Sequence, residues 1–213
     1  MKKPTSQAPT MQPHSSAQRG KLIVFEGIDG TGKSTQIQLL SKDLQAKGYE
    51  VVCSFEPTRG PWGMRVREAA LANERLSMEE EMDCLLQDRR EHVRELISPA
   101  LERGAWVLLD RYYLSMMAYQ GASGANVERI RAANEDFAPV PDMAIWLDQD
   151  VEISLARMEQ RGEARDAFEN EQFLMKVASL YSNMEMPWLF RVDSDQSPED
   201  VHEDIKDLIR EEF

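Results

Sequence analysis

One stretch limits what this chain can fold into more than any other: Phe25-Glu26-Gly27-Ile28-Asp29-Gly30-Thr31-Gly32-Lys33-Ser34-Thr35. It fits the spacing G-x-x-x-x-G-K-[ST]. The apolar run Leu22-Ile23-Val24-Phe25 ahead of it reads as a buried parallel strand. Ile37, Leu40 and Leu44 recur at helical spacing behind it. An ordinary strand-to-helix turn is the bland alternative, and the strand–loop–helix context argues against it. Glycines let backbone N–H groups turn inward around phosphate oxygens, and the helix N-terminus adds positive potential there. Gly27, Ile28, Asp29, Gly30, Thr31, Gly32, Lys33, Ser34 and Thr35 are therefore the candidate triphosphate-binding residues. Lys33 is expected to reach the β- and γ-phosphates, and the Ser34 hydroxyl to ligate Mg²⁺.

At 213 residues the chain is expected to form one domain with a substantial core. A net charge of −13 argues against a general nucleic-acid binder, which needs a basic face. No apolar run approaches the roughly 20 residues of a membrane span. Cys53, read into a buried strand, and Cys84, read into a helix, make no ligand or disulfide pattern, so a reducing, cytoplasmic compartment is expected. Residues 1–20, rich in Pro, Ser and Gln, read as a flexible tail ahead of a domain over 21–213.

The remaining chain alternates strands with helices. Strands are predicted at 21–26, 50–55, 105–109, 143–147 and 188–192. Helices are predicted at 33–47, 63–72, 78–97, 114–121, 127–137, 151–161 and 168–186, with a last one from Pro198 to the end. That pattern predicts an α/β fold, a parallel sheet with helices on both faces. Ligands of such sheets bind at the carboxyl ends of the strands, where Glu56, Asp110 and the 148–165 segment join the glycine loop. Asp110 closes a strand downstream of a phosphate loop, the usual place for a carboxylate associated with Mg²⁺. Arg89 falls inside the apolar stripe of the 78–97 helix, where solvation alone does not explain it; a buried pair with Glu81, Asp88 or another acid is the structural alternative. His92, on the inner side of that helix, reads as a satisfied structural histidine.

The glycine loop, the Glu56-Pro57 segment, Asp110-Arg111-Tyr112 and Ala118-Tyr119-Gln120-Gly121 together resemble the thymidylate kinases in order and spacing, from about residue 21 to the C-terminus. The resemblance implies a P-loop NTPase fold, a five-stranded parallel sheet flanked by helices, with a mobile lid segment. It implies transfer of the γ-phosphoryl of ATP to dTMP with Mg²⁺, by a cytoplasmic homodimer whose partners are small nucleotides rather than nucleic acid or membrane. Carried to matching positions, it puts Asp29 at the sugar 3′-OH, and Arg67 and Arg111 at the acceptor phosphate. It puts Arg89 at the thymine edge and Tyr119 under the deoxyribose. Glu56, Leu85, Ser115, Met116 and Gln120 join them around the acceptor. Ser34, Asp110 and Glu56 fall to the metal, and Arg157, Arg161 and Arg165 to the lid.

Four departures from the family pattern stand out. Leu85 replaces a stacking Phe, and Met116 a Ser or Thr that reads the base in bacterial members. Ala167 takes the place of a lid arginine, with Arg165 two residues upstream, and Phe55 that of an Arg in many bacterial members. Leu85 and Met116 leave open a related kinase with another or relaxed base preference. Ala167 leaves open a nucleotide-binding protein without catalysis.

Overall fold

The central strand takes its place because it is apolar at every position before its last residue. β1 (Leu22–Glu26) is buried along its whole length, which only a strand covered on both faces and paired on both sides can be. In the computed structural model, which describes residues 19–72, 76–160 and 167–213, with backbone alone at 167–170, β1 lies between β3 (Trp106–Asp110) and β4 (Met143–Asp148). β2 (Val51–Phe55) and β5 (Leu189–Asp193) close the edges, in the order β2-β3-β1-β4-β5, all parallel.

Alternate strand residues feed two cores. Ile23, Phe25, Leu108 and Ile145 pack under α1 (Lys33–Ala46) and the C-terminal helix Pro198–Glu212. Each of these two helices offers an apolar stripe, Ile37, Leu40 and Leu44 in one and Val201, Ile205 and Ile209 in the other. Leu22, Val24, Val107 and Leu109 pack on the opposite face, under the helices between β2 and β5. In chain order these are α2 (Pro61–Ala72), α3 (Met78–His92), α4 (Ser98–Glu102), α5 (Tyr113–Ala122), α6 (Val127–Glu135), α7 (Val151–Gln160) and α8 (Ala167–Ser182); the C-terminal helix is α9. Arg19 and Gly20, inside the stretch assigned to the tail, are already tied to this body: Gly20 donates to the Leu101 carbonyl at 2.8 Å, and Arg19 pairs with Asp142.

Several predicted elements shift. The helix expected over 78–97 runs on to Glu102 through a π-helical segment, Val93–Ile97. Pro99 has no N–H to offer the preceding turn, so the hydrogen-bond register changes just ahead of it. The helix expected over 168–186 ends at Ser182. Cys53 is exposed rather than buried: β2 is an edge strand, and the helices cover its faces only in part.

The register sets up the site. Phe25 lies opposite Asp110 on one side and Ile145 on the other, so the chain leaves β1 and β3 side by side at their carboxyl ends. Arg111 N–H donates to the Phe25 carbonyl at 2.9 Å and extends that ladder by one bond.

Candidate active site

The loop after β1 is shaped by its glycines at two close approaches. Gly27 has φ 135°, and a Cβ there would lie 2.6 Å from the Leu147 carbonyl oxygen. Gly30 has φ 93°, and a Cβ would lie 2.7 Å from the Ser154 carbonyl oxygen. Any side chain at either position would push the loop off the end of β4 or off α7. Lys33 folds back over this loop, donating to the carbonyls of Gly27 at 3.1 Å and Ile28 at 2.8 Å. Burial pushes its ammonium down to about 8, with Arg111 adding to the shift and Asp110, Asp29 and Glu26 opposing it. Thr31 ties the loop internally through its hydroxyl and the Ile28 carbonyl. Ser34 Oγ donates to Asp110 Oδ2 at 2.6 Å.

Beside the loop lies a cavity of about 200 Å³. Of the residues expected at the acceptor, Asp29, Glu56, Leu85, Arg89, Arg111, Ser115, Met116, Tyr119 and Gln120 all line it. They come from α3, α5 and the loops that follow β1, β2 and β3, spread across more than ninety positions of sequence. Arg67 sits behind its neighbour Val66, which does line the cavity. The Arg67 guanidinium donates to the Pro57 carbonyl at 2.5 Å and lies over the Phe55 ring at 5.3 Å.

The inner wall is a buried ionic group. Arg89 Nε and Nη2 both donate to Glu56 Oε2 at 2.7 Å. Its Nη1 reaches Asn134 Oδ1 and, at 3.6 Å, the Met116 sulfur. Glu56 Oε1 meets His92 Nδ1 at 2.9 Å, and His92 Nε2 meets Ser54 Oγ at 2.8 Å. Burial alone would raise the Glu56 carboxyl; the Arg89 charge and the His92 contact outweigh it and hold the carboxyl below its ordinary range. Glu56 thus engages Arg89 and His92, while Ser34 and Asp110 engage each other. The acid that pairs with Arg89 is neither Glu81 nor its neighbour Asp88. Asp88 instead accepts from Thr58 N–H and Oγ1 and from Gly63 N–H, which ties the turn after Pro57 and the first turn of α2 to α3.

Arg111 stands where loop and cavity meet. Its φ of 70° is unusual for a residue with a side chain. Nη2 pairs with Asp29 Oδ1 at 2.7 Å and donates to Tyr119 OH at 3.1 Å; Nη1 donates to Ser115 Oγ at 3.0 Å. The guanidinium also lies over the Tyr119 ring at 4.9 Å. Of the lid arginines, Arg157 is half-buried on α7, whereas Arg161 and Arg165 lie outside the described residues, as does the side chain of Ala167.

Three contributors escape a reading of the sequence, Glu26, Asn134 and Tyr181, and Asp88 enters it only as a possible partner of Arg89. Each looks like ordinary strand or helix, and its partner is remote in the chain. A faint signal exists for Glu26, a charged residue closing a wholly apolar strand.

A glycine loop carrying a buried lysine, beside a cavity lined by Arg89 and Arg111, can hold two phosphate-bearing molecules with their charges neutralised. That arrangement, on this sheet, defines a P-loop nucleotide kinase. A thymidylate kinase family model matches residues 25–205. A thymidylate kinase of Akkermansia muciniphila is 57% identical over 195 residues, 92% of this chain and 94% of that one. Those of Desulfotalea psychrophila and Xanthomonas campestris are each 46% identical, over 87% and 85% of this chain and 92% and 79% of their own. The chain belongs to the thymidylate kinase family.

Proposed function

We propose that this protein transfers the γ-phosphoryl group of ATP to dTMP, giving ADP and dTDP. The observation that carries the reading is the Asp29–Arg111 contact, which joins the phosphate loop to the arginine-walled cavity at their shared edge. A phosphate oxygen of dTMP attacks the γ-phosphorus, and the bond to the β–γ bridging oxygen breaks in line. Lys33 and the loop N–H groups hold the donor phosphates. Arg111 and Arg67 hold the acceptor phosphate, and their planar forks suit its oxygens.

Ser34 and Asp110 suit Mg²⁺, since a hydroxyl and a carboxylate 2.6 Å apart are hard oxygen donors. Mg²⁺ bound by so few protein oxygens keeps water and substrate oxygens as its other ligands. When bound, the ion supplies positive charge to the transferring phosphate. In the acceptor pocket, Arg89 reads the thymine edge, with Glu56 fixing its orientation. Tyr119 takes the sugar face with Asp29 at the 3′-OH, and Leu85, Ser115, Met116 and Gln120 complete the wall. Arg157, Arg161 and Arg165 cover the phosphates from the lid. The domain takes in Arg19 and Gly20 as well as 21–213, acts in the cytoplasm and forms a homodimer. Both cysteines are free thiols, and among the described residues no helix is long and apolar enough to cross a membrane.

One observation favours a second reading, a kinase with relaxed base preference. Both Arg89 and Asn134 point donors at the Met116 sulfur, a weak acceptor where bacterial relatives of the resembled pattern carry a hydroxyl. ADP release measured across dTMP, dUMP, dCMP, dGMP, UMP and thymidine separates the two. We expect dTMP to lead in kcat/KM by at least about tenfold, the worth of one well-placed polar contact. A different leading acceptor overturns the substrate assignment; no turnover on any of them overturns the kinase reading.

A further inference from the structure

We infer that Glu26 is a positioning residue that holds Arg111 at both its backbone and its side chain, with Ser115 and Tyr181 as its relays. The inference rests on the proposed role of Arg111 at the acceptor phosphate.

Glu26 is wholly buried at the end of β1, immediately before the glycine loop. Its Oε1 accepts from the Tyr112 N–H at 2.9 Å, the peptide group that follows Arg111. Its Oε2 accepts from Ser115 Oγ at 2.5 Å and from Tyr181 OH at 2.9 Å. Ser115 Oγ in turn accepts from Arg111 Nη1 at 3.0 Å and lies 2.8 Å from Tyr181 OH. One carboxylate therefore secures the peptide that keeps Arg111 at its unusual φ. Through a single hydroxyl it also secures one arm of the guanidinium. The far side of the network is rigid: the Tyr181 ring stacks on Trp146 of β4, with planes 14° apart.

The two arms of Arg111 differ in a way that serves ligand exchange. The Nη2 arm meets Asp29, whose side chain is 55% exposed. An ion pair so open to water is weak and exchanges readily for a phosphate. The Nη1 arm is bonded to the Ser115 hydroxyl, which the buried Glu26 and Tyr181 hold in turn, so breaking it disturbs a buried network. An incoming phosphate can thus take the outer arm while the inner arm keeps the fork aimed. Burial raises the Glu26 carboxyl, and the Ser115 hydroxyl, the Arg111 charge, the Tyr181 hydroxyl and the Tyr112 N–H oppose that shift. A carboxylate suits the task because it accepts at both oxygens, as all three bonds here require, whereas an amide would turn its NH2 toward a donor.

The test is calorimetric titration of the full chain, without ATP, with dTMP and with thymidine, which lacks the phosphate. Glu26→Gln is expected to weaken dTMP binding about tenfold and to leave thymidine within about twofold. Tyr181→Phe, which removes one hydroxyl and keeps the ring, is expected to act in the same direction by about threefold. A purely structural role would lower the affinity for both ligands alike. Equal weakening of the two, or no change in either for both variants, overturns the inference. Arg111→Ala is the control for the reading beneath it. If that variant keeps the wild-type preference for dTMP over thymidine, the phosphate role of Arg111 fails, and this inference with it. If it loses the preference while Glu26→Gln does not, only the inference fails.

Discussion

On the side of the cleft proposed for the phosphoryl donor, the site is built from backbone and from residues close in sequence. Gly27 to Thr35 form the loop, and Lys33 bonds carbonyls five and six residues behind it. On the side proposed for the acceptor it is built from side chains brought from afar. Arg89 meets Glu56 across 33 positions and Asn134 across 45, and Glu26 meets Tyr181 across 155. The difference follows the ligands. A triphosphate looks the same in every nucleotide, so a local nest of N–H groups suffices. One base must be told from others, and that takes polar groups fixed in direction, which only packing against several elements can supply.

If the two walls are separable, substitutions on one should leave the other intact. The largest effect is expected for Lys33→Ala. Turnover at saturating ATP and dTMP should fall about a thousandfold, as when a charge-stabilising donor is removed. The thermal midpoint should hold, because the ammonium is costly to bury. Activity within tenfold of wild type would break the donor-side reading.

Next comes Glu56→Gln, which leaves Arg89 buried without its counter-charge. Unfolding in urea at pH 7 should show a loss of about 3 kcal/mol. The sign of its pH dependence is set by the lowered carboxyl. Such a group stabilises fully above its ordinary value of 4.5, and that contribution disappears as pH falls through the lower folded value. The gap between wild type and variant should therefore close on acidification below 4.5. A gap that stays constant with pH would show that the Glu56 charge is not what stabilises the pair.

The smallest effect is expected for Asn134→Ala, which strips one acceptor from Arg89. The KM for dTMP should rise about fivefold, with the KM for ATP unchanged. A matching rise in the KM for ATP would mean that the two walls are coupled through the fold.

Much of the donor side is legible along the chain. Its residues are contiguous, and the strand before them and the helix after them carry the two periodicities of a buried sheet and an amphipathic helix. Arg89 is visible as an anomaly, a charge in an apolar stripe. Its partner is not, because Glu56 enters from a loop at the end of a different strand. The Ser77 cap of α3, with Glu80 closing the capping box, is local in the same way as the loop. The π-helical segment before Pro99 is not, since proline announces a disturbance without saying how the backbone absorbs it.

Alone, the sequence determined the order of strands and helices, the phosphate loop and the edge of the sheet where ligands gather, because each depends on neighbours a few residues apart. Tertiary structure alone decided that Glu56 serves Arg89, that Asp88 ties Thr58 and Gly63 to α3, and that Glu26 stands behind Arg111. Those pairings depend on strand order and register: β1 pairs with β3 and β4, and no local preference specifies which strands lie side by side. A buried charge takes whatever partner the packing delivers, and that is known only once the layers have closed around it.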